Sequence, residues 1–143
     1  MSFQSAIENT PALKAAYKKG LQALGSNSSK IKPGNSKKCE GSVDIDTTLV
    51  ASYPNDSRWD YALGYDGNTY FVEVHSAKTD EVKTVLKKLA WLKDFLIQEA
   101  PELNQEPKQF HWIASSSNHI LPQSSQSRQL ANSGLKLSKE LKL

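Results

Sequence analysis

Three side chains of this 143-residue chain, Asp60, Glu73 and His75, are spaced for chemistry. Asp60 lies in Arg58-Trp59-Asp60-Tyr61-Ala62-Leu63-Gly64-Tyr65, and the other two lie in Tyr70-Phe71-Val72-Glu73-Val74-His75-Ser76. Each segment reads as a strand, with Asp66-Gly67-Asn68-Thr69 turning between them. A glutamate among Phe71, Val72 and Val74 needs a reason, because acidic residues are depleted from strand interiors. A divalent cation held by the two carboxylates is one such reason, since hard cations take oxygen ligands. Residues two apart on a strand point the same way, so Glu73 and His75 share a face. If Tyr65 pairs with Tyr70, Asp60 falls opposite His75 and diagonal to Glu73 on that face, an arrangement that a one-residue slip would undo. Simpler roles stand beside this reading: Asp60 capping a turn amide or pairing with Arg58, Glu73 pairing with a lysine, and His75 packed or on the surface.

The elements that must position these residues can be read along the chain. Thr10-Pro11 is a helix start, and Leu13, Ala16, Tyr17, Leu21 and Leu24 recur at helical spacing up to Gly25. Residues 26–42, rich in Ser, Asn and Lys and broken by Pro33-Gly34, read as a mobile loop. Val43, Ile45 and Leu49-Val50 predict a strand over 43–51, with Asp44 and Asp46 on its solvent side. The hairpin of residues 58–77 follows. Thr79, Asp80 and Glu81 then open the clearest helix, 79–98, whose apolar stripe is Val82, Val85, Leu86, Leu89, Leu92 and Leu96. Gln109 to Ala114 reads as a strand, residues 123–134 as a short helix, and Leu135-Lys136-Leu137-Ser138 as a final strand. The order predicts an α/β fold: a mixed central sheet with flanking helices and parallel pairing across the helix 79–98.

Composition sets outer bounds. The length fits one domain spanning 1–143, and 38% hydrophobic with 23% charged residues is ordinary for a soluble protein. No apolar run approaches a membrane span, and the first residues lack the pattern of a signal peptide. The single cysteine, Cys39, excludes an internal disulfide and suits a reducing compartment, so a cytoplasmic location is expected. Cys39 has no partner base in the sequence and reads as an incidental thiol. The net charge of +3 hides a separation of sign. Residues 40–81 hold nine acids and two bases, whereas residues 26–39 hold Lys30, Lys32, Lys37 and Lys38 and no acid. An acidic centre between basic segments suits a metal site under a phosphate-binding rim, and solvated surface lysines explain the same charges almost as well. Lys37 and Lys38, with Lys83 and Lys87 on the central helix and Lys88 extending their cluster, are the candidate phosphate contacts. Trp59 and Trp91 are open to stacking on bases, while Trp112 reads as core.

The element order α-β-β-β-α-β with Asp60 and Glu73 on successive strands resembles the PD-(D/E)XK, or restriction-endonuclease-like, nuclease superfamily. The resemblance covers about residues 10–116. It implies that Asp60 and Glu73 bind Mg²⁺ or Mn²⁺, with the Val74 carbonyl supplying a further oxygen. An acid from the first helix often completes the family site, and only Glu8 lies near that position. The family motif continues Glu-X-Lys, where this chain has Glu73-Val74-His75. Histidine has an unperturbed pKa of roughly 6.5 and gives less electrostatic help than lysine. It would serve instead as a general base or a Mn²⁺ ligand, with Lys78 the nearest substitute cation.

The leading function is therefore a Mg²⁺-dependent nucleic-acid phosphodiesterase of endonuclease type. A catalytically inactive nuclease-fold protein that binds nucleic acid or a protein partner is the second class, favoured by His75. A partner-binding or immunity-type protein is the third, and would show a contiguous apolar surface.

Overall fold

The computed structural model describes residues 2–143 and has a mixed α/β architecture. The elements are α1 (Phe3–Glu8), β1 (Ile31–Lys32), β2 (Cys39–Asp44), α2 (Ile45–Leu49), β3 (Tyr61–Tyr65), β4 (Asn68–His75), α3 (Val82–Glu99), α4 (Pro101–Gln105), β5 (Lys108–Ala114), α5 (Ser125–Ser133), β6 (Leu135–Ser138) and β7 (Leu141–Lys142). Five strands form one sheet in the order β2-β3-β4-β5-β6. The first three run antiparallel, and β5 and β6 lie parallel to β4, so the pairing expected across the long helix is present. β1 and β7 make a separate two-stranded parallel ribbon. Among the described residues no helix is long and apolar enough to cross a membrane.

The sheet has an apolar layer on each face. On one, Val43, Ala62, Phe71 and Trp112 pack with the buried stripe of α3: Val82, Val85, Leu89, Leu92, Phe95 and Leu96. On the other, Leu63, Val72 and Ile113 meet Leu24, Ile31 and Leu141. Leu86, expected in the stripe, is only half-buried, and Phe95 takes a place in it.

The hairpin turns tighter than the sequence reading has it. Asp66 and Gly67 both have positive φ, 48° and 81°, which makes a two-residue turn of the I′ kind that matches strand twist. Tyr65 consequently pairs with Asn68 rather than Tyr70. The displacement is two residues, so the alternation of faces survives. Tyr61 lies opposite Val72, and one further step puts Asp60 across from Glu73 itself.

Two elements differ from expectation more deeply. No helix runs from Thr10 to Gly25. The first helix is α1, closed by a capping box between Ser2 and Ser5, and Thr10 lies just after it with its hydroxyl donating to the Ala6 carbonyl at 2.9 Å. The apolar residues at helical spacing serve opposite faces of the sheet: Leu13 joins the α3 side and Leu24 the other. Between them the chain rounds the β2 edge, where Lys18 and Ser42 exchange backbone hydrogen bonds of 2.9 and 2.8 Å. The strand predicted at 43–51 ends at Asp44, whose carboxylate accepts the Thr47 amide at 2.9 Å and starts α2. The stretch 26–42 is not simply a loop, since it contains 3₁₀ turns, β1 and the first part of β2.

Candidate active site

Asp60 is fixed by its neighbours in sequence. Trp59 is fully buried beneath it and donates its indole N–H to the Tyr61 carbonyl at 3.1 Å. The Asp60 carbonyl accepts the Ile45 and Asp46 amides at the start of α2. Arg58 turns away, bonding Asp46 at 2.8 Å and the Tyr53 carbonyl, so it does not pair with Asp60. Glu73 and His75 extend β4 past the end of β3. The edge released there is closed by side chains: the Val74 amide donates to Asp60 Oδ2 at 3.0 Å, and the Asp60 amide donates to Glu73 Oε1 at 3.2 Å. A strand residue points its N–H and C=O to the same side, so the Val74 carbonyl faces this edge too.

The remaining oxygens of the two carboxylates converge on one cation. Lys88, reaching down from α3, places its ammonium 3.5 Å from Asp60 Oδ1 and in contact with Glu73 Oε2. Glu73 has no exposed surface and lies on the α3 face of the sheet, where its charge is poorly solvated. Burial, then the neighbouring Asp60 charge, push its carboxyl up to about 8 against the pull of Lys88. Burial also raises Asp60, opposed by Lys88 and the Val74 amide. For Lys88, burial acts to lower the pKa, but the Glu73 and Asp60 charges outweigh it and hold the ammonium above its ordinary value.

His75 sits on the solvent side of this group. Its Nε2 lies 2.7 Å from Glu81, just before α3, and its Nδ1 lies 3.6 Å from Glu73 Oε2. Its backbone carbonyl accepts the Trp112 indole and the Ser115 amide, both at 3.0 Å.

The structure brings Asp60, Glu73, Val74 and His75 together and leaves the other candidates elsewhere. Lys37 and Lys38 lie at the opposite end of the hairpin, where Lys38 pairs with Asp66 at 3.7 Å. With β3 five residues long, that end is roughly 15 Å from Asp60. Lys83 and Lys87 are exposed on a row of α3 that also carries Asp94, turned away from the sheet. Lys78 is exposed. Glu8 is exposed at the end of α1. Asp44 is spent on its cap and Asp46 on Arg58. Cys39 pairs across from Tyr65, away from the carboxylates, and burial raises its thiol pKa, which disfavours the reactive thiolate. Trp59 and Trp112 are fully buried, and Trp91 bonds Asp56 at 2.9 Å while stacking on Phe95.

Two residues escaped the sequence reading in these roles, Lys88 and Glu81. A signal existed for Lys88: it falls three residues after Val85 and four before Leu92, inside the apolar row, where a lysine is as anomalous as Glu73 is in its strand. Glu81 is two turns earlier on the same row.

Carboxylate and carbonyl oxygens are the donor type a hard cation takes. Asp60 Oδ1 and Glu73 Oε2 already face one positive charge, and the Val74 carbonyl shares their edge. Among the described residues no group of three or more His, Cys, Asp or Glu side chains could hold a metal ion. A Mg²⁺ or Mn²⁺ ion here would therefore be held by few protein ligands and completed by water and substrate, the usual habit of Mg²⁺. Comparison with protein-family models, with curated proteins and with solved structures finds no match.

Proposed function

We propose that the chain is a metal-dependent nucleic-acid phosphodiesterase of the restriction-endonuclease-like kind, with the lysine of its site supplied by α3 instead of by β4. The single observation that carries this reading is the convergence of Asp60, Glu73 and Lys88 at one partly enclosed strand end. Phosphodiester hydrolysis needs a cation on a phosphate oxygen, an activated water, and a positive group for the charge that develops. Asp60, Glu73 and the Val74 carbonyl would hold Mg²⁺ or Mn²⁺, which when bound supplies Lewis-acid polarisation of the phosphate and a more acidic water. Lys88 would stabilise the developing negative charge, the role in which His75 falls short. Glu81 anchors His75 so that Nδ1 faces Glu73, where the ring would take up a proton from the incoming water.

One observation favours the non-catalytic alternative, a nuclease-like protein that only binds. Lys88 already faces the carboxylates, and burial pushes the Glu73 carboxyl up to about 8, which disfavours the ionised form that a metal ion needs. Cleavage separates the two. Wild type, Glu73→Gln and Lys88→Ala should be incubated with single-stranded and duplex DNA and RNA, in Mg²⁺, in Mn²⁺ and in EDTA. The nuclease reading expects ion-dependent cleavage by wild type and a loss of about 10²–10³-fold in each variant. Cleavage unaffected by EDTA or by Glu73→Gln would refute it, and binding with no cleavage by wild type would establish the alternative.

A further inference from the structure

We infer that the cavity beside this site, outside the carboxyl ends of β5 and β6, binds a nucleotide unit of the nucleic-acid strand through its phosphate. The inference rests on the proposed function and supplies a substrate-binding surface that Lys37 and Lys38 cannot form. The cavity has a volume of about 600 Å³, within the usual range for ligand pockets. Its walls come from three separate segments: the loop Ser115–Asn118 after β5, Ser138 at the end of β6 with Lys139 following it, and Ser29-Lys30 before β1.

Placement is the first argument. β4, β5 and β6 are parallel, so their carboxyl ends lie along one edge, the position where open α/β sheets bind ligands. Glu73 and His75 stand at that end of β4. His75 pairs with Ala114, which lines the cavity, and the Ser115 amide donates to the His75 carbonyl at 3.0 Å. Neighbouring strands are about 4.8 Å apart, so cavity and carboxylates are adjoining parts of one edge.

Chemistry is the second. The wall offers serine hydroxyls, the ammonium groups of Lys30 and Lys139, and the side-chain amide of Asn118. Asn118 Oδ1 is engaged by the Ile120 amide at 2.9 Å, which leaves its NH₂ group to donate outward. Neither lysine is among the ion-paired lysines of the described residues, Lys38 and Lys88. Glu140 is the one carboxylate on the wall, and its backbone carbonyl accepts the Ser138 hydroxyl at 2.9 Å. The lysines therefore exceed it by one charge. Hydroxyl, amide and ammonium donors are the groups that hold phosphate and sugar oxygens. No aromatic side chain lines the cavity, so the contact reads the backbone of the strand without stacking on its bases.

The test is binding of a 5′-fluorescein-labelled dT12 to the full chain in EDTA, followed by anisotropy. Each phosphate contact of a single strand contributes a salt slope of about 0.7, which is about fivefold in affinity at 0.1 M salt. Lys30→Ala with Lys139→Ala should therefore weaken binding about 25-fold at 0.1 M salt and reduce the slope by about 1.4. Ser116→Trp, which fills the cavity without changing charge, should weaken binding as well. Unlabelled dTMP should displace the probe and thymidine should not. Affinities within twofold of wild type for both cavity variants, or no binding by wild type at low salt, would overturn the inference. Cleavage by wild type with unaltered binding in the cavity variants would remove the cavity alone and leave the nuclease reading in place. Weakened binding in those variants without cleavage by wild type would do the reverse.

Discussion

Glu73→Gln should shift the stability of the metal-free protein relative to wild type in a direction that increasingly favours the variant as pH rises. Burial pushes the wild-type carboxyl up to about 8 in the folded protein, against 4.5 for a solvated glutamate in the unfolded chain. Between those values the folded state holds a proton that the unfolded state has released, so stability is greatest below pH 4.5 and declines as pH rises toward 8. The slope is about 1.4 kcal/mol per pH unit. Integration of the two titrations gives a loss of roughly 1 kcal/mol at pH 5, about 3 at pH 7 and about 4 at pH 8. Glutamine imitates the protonated acid and does not titrate. It also weakens the contact with Lys88, which shifts its stability by a constant, so the diagnostic quantity is the change with pH and not the offset. Urea denaturation of both proteins in EDTA at pH 5, 7 and 8 measures it. The Gln-minus-Glu difference should rise by about 3 kcal/mol between pH 5 and pH 8. A difference that is flat across that range would show that Glu73 is ionised in the folded protein throughout, and would refute its burial as a costly charge.

Mn²⁺ added to wild type at pH 8 should give calorimetric heat and release protons, because binding must ionise Glu73, and Glu73→Ala should give none; equal heats from both would remove Glu73 from the ion site. Leu89→Ala removes a buried side chain between α3 and the sheet and should cost roughly 2–5 kcal/mol, read as a fall in urea midpoint at unchanged m. Burial, followed by the Lys136 charge, holds His111 down at about 4, so its neutral form supports the fold above its ordinary pKa and that support is lost as pH falls toward 4. His111→Gln should therefore flatten the acid side of a melting-temperature profile between pH 4 and 7, and an unchanged profile would show that His111 remains accessible to protonation in the fold.

Much of the frame was legible in the sequence because its signals are local. The helix over α3 carries an uninterrupted 3.6-residue stripe, β5 and the β3–β4 hairpin carry β-branched and aromatic runs, and Asp-Gly marks the turn between strands. That Asp60 and Glu73 share a face survived a two-residue error in register because a strand repeats every two residues, although the residue opposite Asp60 changed from His75 to Glu73. What failed was whatever depended on which side of the sheet a residue serves. Leu13 and Leu24 are spaced like one helix, but they belong to opposite apolar layers, and only the path of the chain around β2 assigns them. Asp44 alternates like a strand residue, but it ends β2 and caps the helix that follows. Above all, the composition of the site was a tertiary decision. The sequence showed a histidine where a lysine was expected two residues after Glu73. The ammonium that meets Glu73 belongs to Lys88, brought there because α3 packs across the end of β4 with its Val85–Leu92 row facing the sheet. Sequence determined which carboxylates meet, since they lie on one hairpin. The packing of α3 determined which cation they meet, since a contact fifteen residues apart exists only once the helix has docked.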